Sequence, residues 1–86
     1  MFVIKCKDLV ETIPEDFPHP ELIDSRWHPF IIGYATLEEA MKKVYSQLGM
    51  RATAKRRQPQ RDYRIFRTEG RKLVLVIEIF HEEETV

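Results

Sequence analysis

Cys6 is the only cysteine among 86 residues, so no disulfide can close within the chain and no cysteine-based zinc site can form. Glycine is scarce too. Gly33, Gly49 and Gly70 belong to no phosphate-binding repeat, which excludes a glycine-rich nucleotide loop. The longest apolar run, residues 73–77, falls far short of the roughly 20 residues a membrane helix needs, and the apolar start at 1–4 is too short for a signal-peptide core. The sequence therefore predicts a cytoplasmic protein with no membrane partner. His19, His28 and His81 have no histidine at i+3 or i+4, and Ser25 and Ser46 sit in no nucleophile motif, so no metal, no cofactor and no catalytic residue is expected. No motif names a reaction, and a non-catalytic protein is the expectation.

What is present describes one small domain over 1–86: 43% hydrophobic residues, with 14 Lys and Arg against 14 Asp and Glu. At this length folding hides only about 60 to 65% of the unfolded surface, enough for one sheet and one helix. Phe2, Ile4 and Cys6 alternate with Val3 and Lys5, as in a half-buried strand. Residues 8–28 form an acidic, proline-rich loop: Pro14, Pro18 and Pro20 break helix and ladder alike, and six acids face only Arg26. Within it, Phe17, Leu22, Ile23 and Trp27 predict that part is pinned to the core, with one short helical turn near Pro20. A second strand reads from Phe30 to Tyr34.

The spacing predicts a helix over about 37–48. Thr36 can cap it, Glu39 stands at capping-box distance, Leu37, Ala40, Met41, Val44, Tyr45 and Leu48 make one stripe, and Gly49 would end it. Alternation of Met50, Ala52 and Ala54 with Arg51, Thr53 and Lys55 then suggests a third strand. A C-terminal β-hairpin follows over about 62–80, turning at Glu69 and Gly70, which would pair Phe66 with Leu73 and Tyr63 with Val76. In that register Phe66, Leu73, Leu75, Ile77 and Ile79 face the helix, while Tyr63, Ile65, Val74 and Val76 form a second apolar patch that could be covered by the loop or by a second copy in a homodimer. The fold class is α+β: a mainly antiparallel sheet of four to five strands with one helix on one face. Residues 81–86 are an acidic tail.

Charge is neutral in total and segregated in detail. Residues 51–72 hold nine bases (Arg51, Lys55, Arg56, Arg57, Arg61, Arg64, Arg67, Arg71, Lys72) against Asp62 and Glu69, a surplus of seven balanced by the rest of the chain. Seven of the nine are arginine, whose planar fork suits phosphate and carboxylate oxygens. With Tyr63 offering a ring for stacking, this basic patch predicts a binding or regulatory protein that engages an anionic partner, nucleic acid ahead of an acidic protein surface. The expected contacts are Lys55, Arg56, Arg57, Arg61, Tyr63, Arg64, Arg67, Arg71 and Lys72. Two alternatives stand beside it: a regulator or inhibitor that binds protein through the hairpin face, Trp27 and the acidic loop, and internal neutralisation of the arginines by the chain's own acids.

The stretch 56–67, followed by Lys72 to Phe80 and His81, resembles the C-terminal strands of the RelE-type ribonuclease toxins. That resemblance implies a scissile phosphate held by Arg57, Arg61 or Arg64, with His81 as general acid. It covers about a third of the chain, and the toxins place two helices directly after their first strand, where this chain has the acidic loop. The portion 30–53 is also similar to half of the peptidoglycan-binding SPOR modules, in a strand-helix-strand arrangement.

Overall fold

The computed structural model describes residues 1–53 and 58–81. Four strands, β1 (Phe2–Asp8), β2 (His28–Tyr34), β3 (Arg61–Glu69) and β4 (Lys72–Ile79), form one antiparallel sheet in the order β2-β1-β3-β4. The helix α1 (Leu37–Thr53) packs across one face, giving the expected α+β architecture. β1 lies inside the sheet because its alternation serves two neighbours at once: Ile4 stands opposite Ile31 on one side and Ile65 on the other.

Between the helix and the sheet, Ile4, Cys6, Ala40, Val44, Tyr63, Ile65 and Ile79 form the core, flanked by Phe2, Phe30, Tyr34, Leu37, Met41, Leu48 and Ile77. Thr36 caps α1 as its sequence predicts, its Oγ1 accepting the Glu39 backbone N–H at 3.2 Å. Residues 8–28 are tied down at both ends. Asp8 and Asp24 bond through their backbones at 2.9 Å, Leu9 N–H donates to the Gln60 carbonyl at 2.9 Å, and the Gln60 N–H donates to Thr12 Oγ1 at 2.8 Å. One-turn 3-10 segments occupy Val10–Thr12 and Pro20–Leu22.

Three expectations are corrected. No strand forms over Met50 to Thr53: the helix runs through Gly49 to Thr53, because alanine serves a helix as well as an alternating pattern, and positions 54 and 55 of the expected strand lie outside the described residues. The likeness to a SPOR strand-helix-strand half loses its second strand for the same reason.

The hairpin turns at Gly70 and Arg71 instead, with Glu69 opposite Lys72; Gly70 takes φ +58° at the first central position, as a type II′ turn requires. The pairing is also broken by a bulge: Phe66 faces Leu75 but Ile65 faces Ile77, leaving Val76 as the extra residue. The turn shift moves the register by two residues and keeps each face intact, whereas the bulge splits the expected helix-facing set. Ile77 and Ile79 face the helix as expected, beside Tyr63 and Ile65, whereas Phe66, Leu73 and Leu75 lie on the face that α1 does not cover.

Candidate binding face

Among the described residues one helix serves four strands and no second element covers the other sheet face, so the alternation of β1 and β3 decides what that face displays. Ile4 and Cys6 point to the helix, so Lys5 and Lys7 point away; Tyr63 and Ile65 point in, so Arg64 and Phe66 point out. Trp27, just ahead of β2, folds over the same side. The Arg64 guanidinium lies 4.1 Å from the Trp27 ring centroid and the Lys7 ammonium 5.2 Å, while the Lys5 ammonium lies 5.3 Å from the Phe66 ring. Arg64 Nε is also 3.1 Å from Glu78 Oε1, at an angle that makes no hydrogen bond.

Beyond this cation-aromatic centre the face turns apolar toward the hairpin turn. Leu73, Leu75 and Val76 on β4 are 43%, 46% and 39% exposed, high for branched aliphatic residues of a strand. Arg71 and Lys72 stand exposed at the turn itself.

The structure disperses the basic segment. Arg61 points to the helix side, where its Nε donates to Asp8 Oδ1 at 2.5 Å and its guanidinium sits 5.9 Å from the Phe30 ring. Burial is the largest influence on Arg61 and opposes its charge; the hydrogen bond with Asp8 together with the attractions of Cys6, Asp8 and Tyr63 outweighs it, so its pKa is raised. Arg67 donates to Glu69 in an exposed pair, a contact worth little to stability. Lys55, Arg56 and Arg57 lie outside the described residues.

Tyr63 is the clearest correction to the expected contacts. Its ring is completely buried, edge-on to Phe30 with centroids 5.8 Å apart, and so cannot stack on a base. It is the register of β3 against β1, placing Tyr63 opposite the inward Cys6, that sends the ring into the core.

Two polar constellations lie on other parts of the molecule. His81 meets Asp62 through its backbone N–H at 3.1 Å and its Nδ1 at 3.2 Å, both to Oδ1. Arg61 and Arg64, three apart on a strand, leave on opposite faces, so they cannot converge on one phosphate as the toxin likeness implies. Cys6 Sγ lies 3.3 Å from His28 Nε2, and His28 Nδ1 donates to the Arg26 carbonyl at 2.8 Å with Asp24 Oδ2 at 3.6 Å. That tautomer leaves Nε2 to accept the thiol proton.

The sequence shows no base for Cys6, because His28 reaches it only through β1–β2 pairing. Yet Cys6 has no exposed surface, and burial pushes its pKa up against the opposing field of Arg61, so the thiol stays protonated and closed to a substrate. Among the described residues, no three of His, Cys, Asp and Glu gather closely enough to hold a metal ion.

Compared with models of protein families, with curated proteins and with solved structures, the chain matches none of them.

Proposed function

We propose that this protein is a non-catalytic binding module whose open sheet face takes an acidic surface of a partner protein. The observation that carries the reading is the composition of that face: exposed Leu73, Leu75 and Val76 lie beside Lys5, Lys7 and Arg64, the cations stacked on Phe66 and Trp27. Aliphatic side chains at this exposure favour removal from water by another apolar surface, and the neighbouring ammonium and guanidinium groups favour carboxylates around it. Phosphate oxygens would use the cations but leave the leucines idle.

A photo-crosslinking residue at position 75, compared with one at Lys42 on the outer helix face, tests this in cells. The expected result is discrete, nuclease-resistant protein adducts from position 75 alone, abolished by Lys7→Glu with Arg64→Glu in a chain that stays folded by circular dichroism. Equal adducts from both positions, or none from position 75, would overturn it.

A second reading, nucleic-acid binding, draws on the exposed Arg71 and Lys72 at the hairpin turn, a second basic group on the far side of the apolar stretch from the cationic centre. It predicts that a short single-stranded oligonucleotide binds in fluorescence anisotropy and weakens steeply between 50 and 200 mM salt, on the order of tenfold for about two phosphate contacts. Salt-insensitive or absent binding removes it.

A further inference from the structure

At the end of the sheet away from the hairpin turn, on the helix side, a cavity of about 230 Å³ opens among Asp8, Arg51, Arg61, Phe17, Ile23 and Pro59. Two guanidinium groups line it against one carboxylate. The carboxylate is already engaged on both oxygens: Oδ1 takes Arg61 Nε and Oδ2 takes the Asp24 backbone N–H at 3.1 Å.

Among the described residues, Arg51 forms no ion pair with a carboxylate. It arrives from the last turn of α1, donates one terminal nitrogen to the Pro59 carbonyl, and leaves its Nε buried without a partner. Its backbone carbonyl is held in turn by the Gln60 side-chain amide at 3.0 Å, so the residue is positioned from both ends. Burial and then the neighbouring Arg61 work against its charge and outweigh the support of Tyr63 and Asp8, so its pKa is lowered. A half-buried guanidinium with no carboxylate of its own among the described residues, next to a second guanidinium, is an arrangement that an incoming oxyanion would relieve.

We infer that the cavity between Arg51 and Arg61 binds a small oxyanion, a phosphate or carboxylate group carried on a small apolar body. The two forks supply planar donors suited to its oxygens, and Phe17, Ile23 and Pro59 form the apolar wall for the body. Its volume, several times the roughly 30 Å³ that one water occupies in the liquid, admits such a group and excludes a polymer. The site is separate from the open sheet face: Arg61 and Arg64 project to opposite sides of β3, so either can be lost without the other.

Inorganic phosphate and benzoate are the probes, titrated at constant ionic strength against chloride. Thermal unfolding should shift upward saturably with at least one of them, and the Arg51 Nε–H resonance should move in the same titration. Arg51→Gln should weaken binding about tenfold or more, and Arg51→Lys, which keeps the charge but not the fork, should fall between. Phosphate or benzoate acting alone tells which head group the site prefers, and either result supports it. The inference is overturned if neither probe gives a saturable effect in the wild-type chain, or if folded Arg51→Gln responds undiminished. Should Arg51→Gln fail to fold, the wild-type Nε–H titration decides: a saturable shift upholds the site and an unmoved signal ends it.

Discussion

Cys6 and Tyr63 stand directly opposite one another on β1 and β3, both without exposed surface, and both carry an acid proton that burial helps them keep. Each folded pKa lies above its ordinary value, 9.0 for the thiol and 10.0 for the phenol, with Arg61 and Arg51 opposing burial in both cases. The unfolded chain therefore releases these protons first as pH climbs. Their contribution to stability is complete below about pH 9 and is lost as pH rises through the folded values. Urea midpoints measured at pH 7, 9 and 10.5 should fall across that range, and Cys6→Ala should flatten the lower part of the decline whatever it does to the absolute midpoint. A midpoint level up to pH 10.5 would contradict this account.

Among the secondary-structure elements, α1 carries the plainest inefficiency. Gly49 occupies an interior helical position where a methyl group would meet nothing within 4 Å, so the residue contributes backbone freedom to the unfolded chain and no packing to the folded one. Gly49→Ala should raise stability by about 0.5–1 kcal/mol in denaturant titration. The same substitution at Gly70 should lower it, since φ +58° is held there by the hairpin turn.

These elements also show where sequence is legible. The start of α1 could be read because Thr36 and Glu39 act within one turn, and β1 because its alternation is local. The helix end could not, since glycine and alanine satisfy both a stop and a continuation until packing chooses. Which hairpin face meets the core depended on one extra residue, Val76, whose bulge has no signature in a run of uniformly strand-forming side chains. The open face shared that fate. Arg64 was foreseen as a contact, but Lys5, Lys7 and Trp27 joined it only through pairing between strands, and Arg61 found Asp8 across 53 positions.

For the molecule as a whole, extents of 43 × 26 × 17 Å describe a slab one sheet and one helix thick, with β4 at an outer edge. An edge of this composition, apolar from Leu73 to Ile77, invites pairing with a second chain, and the bulge at Val76 interrupts the ladder that such pairing would extend. Deleting Val76 tests the idea without disturbing the core, because Leu75 and Ile77 already point to opposite faces and would then alternate normally. The shortened chain should keep its circular dichroism spectrum and begin to self-associate with concentration in sedimentation velocity. Sedimentation as a monomer at concentrations where the wild-type chain is also monomeric would remove the bulge from any protective part.

β1 has its hydrogen-bonding groups claimed on both sides, by β2 soon after it in the chain and by β3 roughly sixty positions later. A ribosome thus releases the middle of this sheet long before one of its two neighbours exists. The nascent chain must carry Ile4 and Cys6 with one flank bare until Tyr63 and Ile65 emerge, and a closure between positions so far apart in sequence is of the kind that slows folding.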